Sequence, residues 1–229
     1  MAYDRRQSLT PLLSNTRILQ PADIATLNSK PVVIVPSPGT TKIIVVLGIV
    51  CIYNYGTVTY YTAAPGVLTP QYAGSSNDQV AGTASALLLT SLTSGIDYLA
   101  GSCEAHGSLA ADADQAIQLL AGSDYPASAI LTAGITAQGL GYALHDTGTV
   151  TTGNADATYE VTGVGALGIV TSFKITYAGT GYVAGAGQAT ADGGAQPGVG
   201  MGLTINVTAL QTGDGTLKVT TYYQILNVP

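Results

Sequence analysis

Apolar residues in this chain alternate or run in short blocks, and the blocks are broken by Gly and Pro. The most apolar stretch is Lys30–Tyr55, KPVVIVPSPGTTKIIVVLGIVCIYNY, with an unbroken hydrophobic run from Ile43 to Ile52 interrupted only by Gly48. The run is well short of the roughly 18 residues a membrane helix requires. Its Val and Ile side chains, branched at Cβ, suit a pleated strand. Pro36, Pro38 and Gly39 supply a turn in front of it. The pattern predicts two strands, Val32–Val35 and Lys42–Tyr53, joined as a hairpin and buried on at least one face.

Further strands are predicted over Thr57–Thr62, Val67–Tyr72, Ala127–Ala133, Ala157–Val164, Ile169–Tyr177 and Met201–Ala209. A long last strand covers Thr216–Val228, with Leu217, Val219, Thr221, Tyr223, Ile225 and Asn227 on one face. Ala84–Leu92 is too short for periodicity to separate helix from strand. Ser108–Leu120 reads as a helix capped by Ser108, or equally as an acidic loop followed by a strand. Residues 1–30 are polar, broken by Pro11 and Pro21, and read as an arm, with one short helical turn or extended chain from Pro21. Between Ala178 and Gly200 glycine is so dense that turns are expected throughout.

Charge narrows the functional classes. Only 9% of residues are charged, and the net charge is −6, against roughly 25% charged in ordinary soluble domains. With a mean hydropathy of +0.33, the chain would self-associate if its apolar surface were left open. A homo-oligomer that covers this surface is the expectation, with no nucleic-acid partner, since the balance is acidic. No stretch reads as a membrane span or an export signal. Five of the seven basic residues, Arg5, Arg6, Arg17, Lys30 and Lys42, lie near the start. An arm with this bias either stays solvated or docks on an acidic or polar partner.

Candidate chemistry is sparse. His106 and His145 are isolated, and Cys51 and Cys103 have no metal-ligand spacing, so neither a metal nor a cofactor is expected. Cys51 reads as a small buried hydrophobe, with a Cys51–Cys103 disulfide as the alternative. Asp112-x-Asp114 lacks the rest of a calcium loop. His145-Asp146-Thr147-Gly148 holds one Asp-Thr-Gly tripeptide where an aspartic protease needs two, and no nucleophile elbow or phosphate loop occurs. A glycan-cleaving enzyme needs two carboxylates across a cleft, and nothing in sequence joins Glu104 to Glu160. No catalytic activity is expected. The enriched chemistry is tyrosine, 14 residues, suited to cross-strand packing, subunit interfaces or sugar stacking.

Two sets of motifs carry a resemblance. Pro36–Val46 (PSPGTTKIIVV), NYGTVTY and the closing GDGTLKVTTYYQIL resemble decoration, cement or auxiliary capsid proteins of tailed bacteriophages. TTGNADATYEVTGVGALGIVTSFKITYAGTGYVAG resembles a Gly-Tyr β-module of phage and prophage structural proteins, covering about Thr147 to Ala209.

The resemblance implies an all-β chain: a β-sandwich or jelly-roll-like base interrupted by a small Gly-rich β-module. The expected division is an arm (1–30), the base (31–141), the inserted module (142–209) and a final base strand (210–229). It implies a virion protein, made in the host cytoplasm, that decorates or stabilises the outer capsid as a homotrimer bound to the major capsid protein. Arg5, Arg6 and Arg17 would then dock the capsid, and Tyr60, Tyr61 and Tyr222 would pack between subunits. The alternative is a tail-fibre or receptor-binding protein that holds host polysaccharide on Tyr177 and Tyr182.

Overall fold

The structure, a computed structural model, describes residues 11–58, 60, 66–74, 78–85, 87–91, 93–101, 112–192 and 200–228. It is all-β and sandwich-like, and divides into two compact units. One is drawn from residues 1–54, 64–124 and 216–229, the other from 55–63 and 125–215.

The first unit holds two four-stranded sheets. One has the order Leu13–Leu19 (β1), Thr216–Asn227 (β14), Lys42–Asn54 (β3) and Gly95–Ala100 (β6), every neighbouring pair antiparallel. The other has the order Val32–Val35 (β2), Ile117–Ala121 (β7), Val67–Tyr72 (β4) and Ala84–Ser85 (β5). Leu19, Leu217, Val219, Ile49, Cys51 and Tyr53 from the first sheet are buried, as are Ile34, Val35, Leu68, Ile117 and Leu119 from the second. The Tyr72 hydroxyl donates to the Ile44 carbonyl, and the Asn15 amide donates to the Ile34 carbonyl, so each bond ties one sheet to the other.

The expected hairpin does not form. Val32–Val35 pairs with β7, and β3 pairs with β14 and β6. The Pro36–Pro38 segment therefore carries the chain from one sheet to the other. Two apolar strands can bury more surface on opposite sides of a core than beside each other, and proline at Pro36 and Pro38 cannot supply the N–H groups a tight hairpin ladder uses.

The arm is corrected too. Residues 13–19 form an edge strand on the chain's own C-terminal strand, followed by the short helix Pro21–Ala25 (α1). Leu19, Ile24 and Leu27 are completely buried, which anchors the segment to its own unit. Of the alternatives for Ser108–Leu120, the strand is seen: Ile117–Ala121 alternates buried and half-buried residues. Residues 102–111, including Cys103 and His106, lie outside the described residues. The 84–92 stretch yields the two-residue β5 and a single helical turn, Leu87–Thr90 (α2). Of the strand expected over Thr57–Thr62, Thr57 and Val58 form a bend, and residues 59, 61 and 62 lie outside the described residues. At the bend the Asp214 carboxylate accepts from the Thr57 and Val58 N–H groups at 2.7 and 2.8 Å and from the Thr57 hydroxyl at 2.6 Å.

The second unit is one six-stranded antiparallel sheet. Its order is Val170–Tyr177 (β11), Thr158–Val164 (β10), Thr147–Val150 (β9), Gly185–Asp192 (β12), Met201–Gln211 (β13) and Ala129–Leu140 (β8). The sheet curls until its end strands meet, where the Ile130 N–H donates to the Ala178 carbonyl at 2.9 Å. Inside lie Ile130, Tyr142, Val150, Tyr159, Val161, Val170, Tyr182, Leu203, Ile205 and Val207. The inserted unit starts at 125 rather than 142, because β8 pairs with β13 along nearly its whole length. The glycine-dense 178–200 stretch also holds a strand, β12. Positive-φ Gly179, Gly181 and Gly187 lie in and around it, and a break in register separates Gly185 from Gln188.

Candidate assembly surface

Antiparallel register sets residues side by side in rows across the sheet β1-β14-β3-β6, each row facing one side. Three rows face the core. They are Leu19–Leu217–Tyr53–Gly95, Arg17–Val219–Cys51–Asp97 and Asn15–Thr221–Ile49–Leu99. Their central residues are wholly buried. Burial, and secondarily the Asp97 charge, pushes the Cys51 thiol up to about 12, so Cys51 stays a neutral thiol at ordinary pH. It is free.

The other three rows face outward: Ile18–Lys218–Ile52–Ile96, Thr16–Thr220–Val50–Tyr98 and Ser14–Tyr222–Gly48–Ala100. Ile96 is 72% exposed, Tyr98 61% and Ile18 52%. Tyr98 lies across Gly48, where a Cβ would collide with its ring. Leu47, also exposed, is the extra residue of a bulge in β3 opposite Tyr222 and Tyr223. Lys218 is the one charge in the twelve positions of these rows. Four strands about 4.8 Å apart and three rows about 7 Å apart give a footprint of about 400 Å². Ser14, Thr16 and Thr220 interrupt the apolar residues within it, and Thr16 and Thr220 bond each other through their hydroxyls at 3.0 Å.

The sequence-derived candidates scatter. Arg5, Arg6 and Tyr61 lie outside the described residues. Arg17 is exposed on the edge strand β1, and Tyr222 sits on the outward face. Tyr60 is buried within the chain: its hydroxyl donates to the Gly215 carbonyl at 2.7 Å, and its ring meets Tyr125 edge-on at 5.8 Å. It packs inside its own unit and has no surface to offer a neighbour. Tyr177 is partly exposed at the end of β11. Tyr182 is only 2% exposed. Its hydroxyl donates to the Val150 carbonyl at 3.1 Å and accepts from the Ala157 N–H at 2.9 Å. It is a core tyrosine that pins two strand ends, and no sugar can stack on it.

Two further side-chain clusters lie on the second unit. Glu160 accepts from His145 Nδ1 and from Lys174 Nζ, both at 2.8 Å. The His145 bond, then that of Lys174, holds the Glu160 carboxyl below its usual range. The Asp156 carboxylate accepts from the Thr180 N–H at 2.9 Å and from its hydroxyl at 3.0 Å. Both are explained as turn and cross-strand ties. Among the described residues no group of three or more His, Cys, Asp or Glu could hold a metal.

The residues that sequence reading missed are Ile18, Ile96 and Tyr98. The signal was weak: in LSNTRIL and GIDYLA both phases of the alternation carry apolar residues, so neither face is marked as outward.

No protein-family model, curated protein or solved structure matches this chain.

Proposed function

We propose that this chain is a structural virion protein that decorates or stabilises the outer capsid of a tailed bacteriophage as a homotrimer, bound to the major capsid protein. The observation that carries the assembly part of this reading is the outward face of the β1-β14-β3-β6 sheet. This face exposes Ile18, Ile96, Tyr98 and Tyr222 with one lysine and three hydroxyl residues, and covering its apolar side chains favours assembly. The low charge of the whole chain supports the same reading, and the capsid location rests on the resemblance of its opening and closing strands. Of the residues assigned to docking, Arg17 is the one among the described residues, exposed on the edge strand β1.

The polysaccharide-binding alternative loses its main stacking residue, because Tyr182 is buried. Light scattering of the purified chain at micromolar concentration tests assembly: a trimer mass is expected, and a monomer mass would sink the reading. Binding to capsids that lack the protein tests the location. Binding of the purified chain is expected, and its absence would overturn the capsid location.

A further inference from the structure

We propose that copies of this chain join head to tail, with strand β6 of one copy pairing with strand β1 of the next. The proposal rests on the homo-oligomer reading and deepens it by naming the contact. β1 and β6 are the two outer strands of their sheet; among the described residues no backbone hydrogen bond is made beyond β1, and β6 is bridged only at its end, where Ala81 pairs with Gly101 and Gly82 bonds Ala100, which leaves Ile96 and Tyr98 on the open part of the edge. An open edge of this kind is a template for another chain.

The backbone phase fits. The Ala100 carbonyl accepts from the Gly82 N–H, on the side away from β3. In a strand the N–H and C=O of one residue point the same way and neighbours alternate. Ile96 and Tyr98 therefore also turn their peptide groups to the open edge. Carried through the register Ile96–Ile52–Lys218–Ile18, the same alternation turns the peptide groups of Ile18 and Thr16 to the opposite open edge.

The strand direction fits as well. Each neighbouring pair is antiparallel, so β6 runs opposite to β1. A second copy in the same orientation therefore sets its β1 antiparallel to β6. Continuing the existing rows then places Ile96 opposite Ile18 of the next copy as a hydrogen-bonded pair, and Tyr98 opposite Thr16.

Between these pairs falls Asp97 opposite Arg17, in the non-hydrogen-bonded position where side chains approach most closely. Both belong to the row that faces the core, at its two ends. Neither has an ion-pair partner among the described residues. Joining β6 to its own copy about Asp97 would instead set two carboxylates face to face, which is destabilising. A head-to-tail contact generates a ring when its rotation closes.

The test uses the full chain in a Cys103→Ser background, with Ile18→Cys and Ile96→Cys introduced together. Within one copy these positions lie across three strand spacings, about 14 Å, too far for a disulfide. Cross-linking on mild oxidation is therefore intermolecular, and a ladder of covalent multimers on a non-reducing gel is expected. Charge exchange is the second arm. Arg17→Asp alone and Asp97→Arg alone are each expected to raise the dissociation constant at least about tenfold, and the double variant to recover it, with circular dichroism unchanged throughout. An oligomeric wild type whose double-cysteine variant does not cross-link and whose single charge reversals leave the dissociation constant unchanged overturns the edge pairing and leaves the homo-oligomer reading standing. A monomeric wild type overturns both.

Discussion

The two units spend the chain differently. In the second, β9, β10 and β11 follow one another as hairpin neighbours, and so do β12 and β13; two pairings reach further, β9 to β12 and β8 to β13. In the first, the central pair joins residues 42–54 to residues 216–227 through twelve paired positions, and β1 from near the N-terminus pairs with the same C-terminal strand. One unit mixes hairpins with two longer-range pairings, all within residues 129–211, whereas the other joins its main sheet across most of the chain. The contrast implies that the first unit depends on remote segments for stability and the second depends on its closed interior.

Removal of residues 216–229 should have the largest effect. β14 lies between β1 and β3, so its loss exposes two strand edges and half a core, and the first unit should unfold. Replacing residues 125–215 with a short Gly-Ser linker should leave it folded. Circular dichroism with thermal scanning checks both, and identical behaviour of the two deletions would break the division into units.

Next come single cavities, one in each unit. Ile49 and Ile205 are both completely buried, and truncating either to alanine should cost about 2–5 kcal/mol. If the units unfold separately, Ile49→Ala shifts one calorimetric transition and Ile205→Ala the other. A common shift in a single transition would mean that the units share one cooperative core.

The smallest effect is expected at Asp214. Burial alone would raise its carboxyl, but the bonds from the Thr57 side chain and the Val58 and Thr57 N–H groups outweigh burial and hold it below the usual range. A depressed folded-state pKa contributes stability above the ordinary aspartate value, and that contribution is lost as pH falls through the folded value. Asp214→Asn should cost about 1 kcal/mol at neutral pH and flatten the acid limb of the melting curve against pH. An unchanged limb would show that the bend at 57–58 is held by other contacts.

Most strands in the second half could be read from sequence. β10, β11, β13 and β14 lie within one or two residues of where alternation and turn signals set them. Local signals failed where a distant partner made the choice. LSNTRIL looks like polar arm until β14 lies beside it, and GAGQATAD looks like turn until β9 and β13 flank it. Tyr60 and Tyr182 looked like surface chemistry because tyrosine carries a polar tip, but a buried carbonyl can satisfy that tip as well as water does.

By itself the sequence determined the class of this protein: β-branched runs too short for a membrane helix, and glycine too dense for helices. These are properties of neighbouring residues and of composition, and they act before any fold exists. Only the tertiary structure decided which strand pairs with which and hence which apolar residues remain outside. Pairing is chosen by burial summed over the whole sheet, and a residue's own neighbours do not encode that sum. Ile96 and Ile18 are as hydrophobic as Ile49, and their place in the register alone leaves them on the open face.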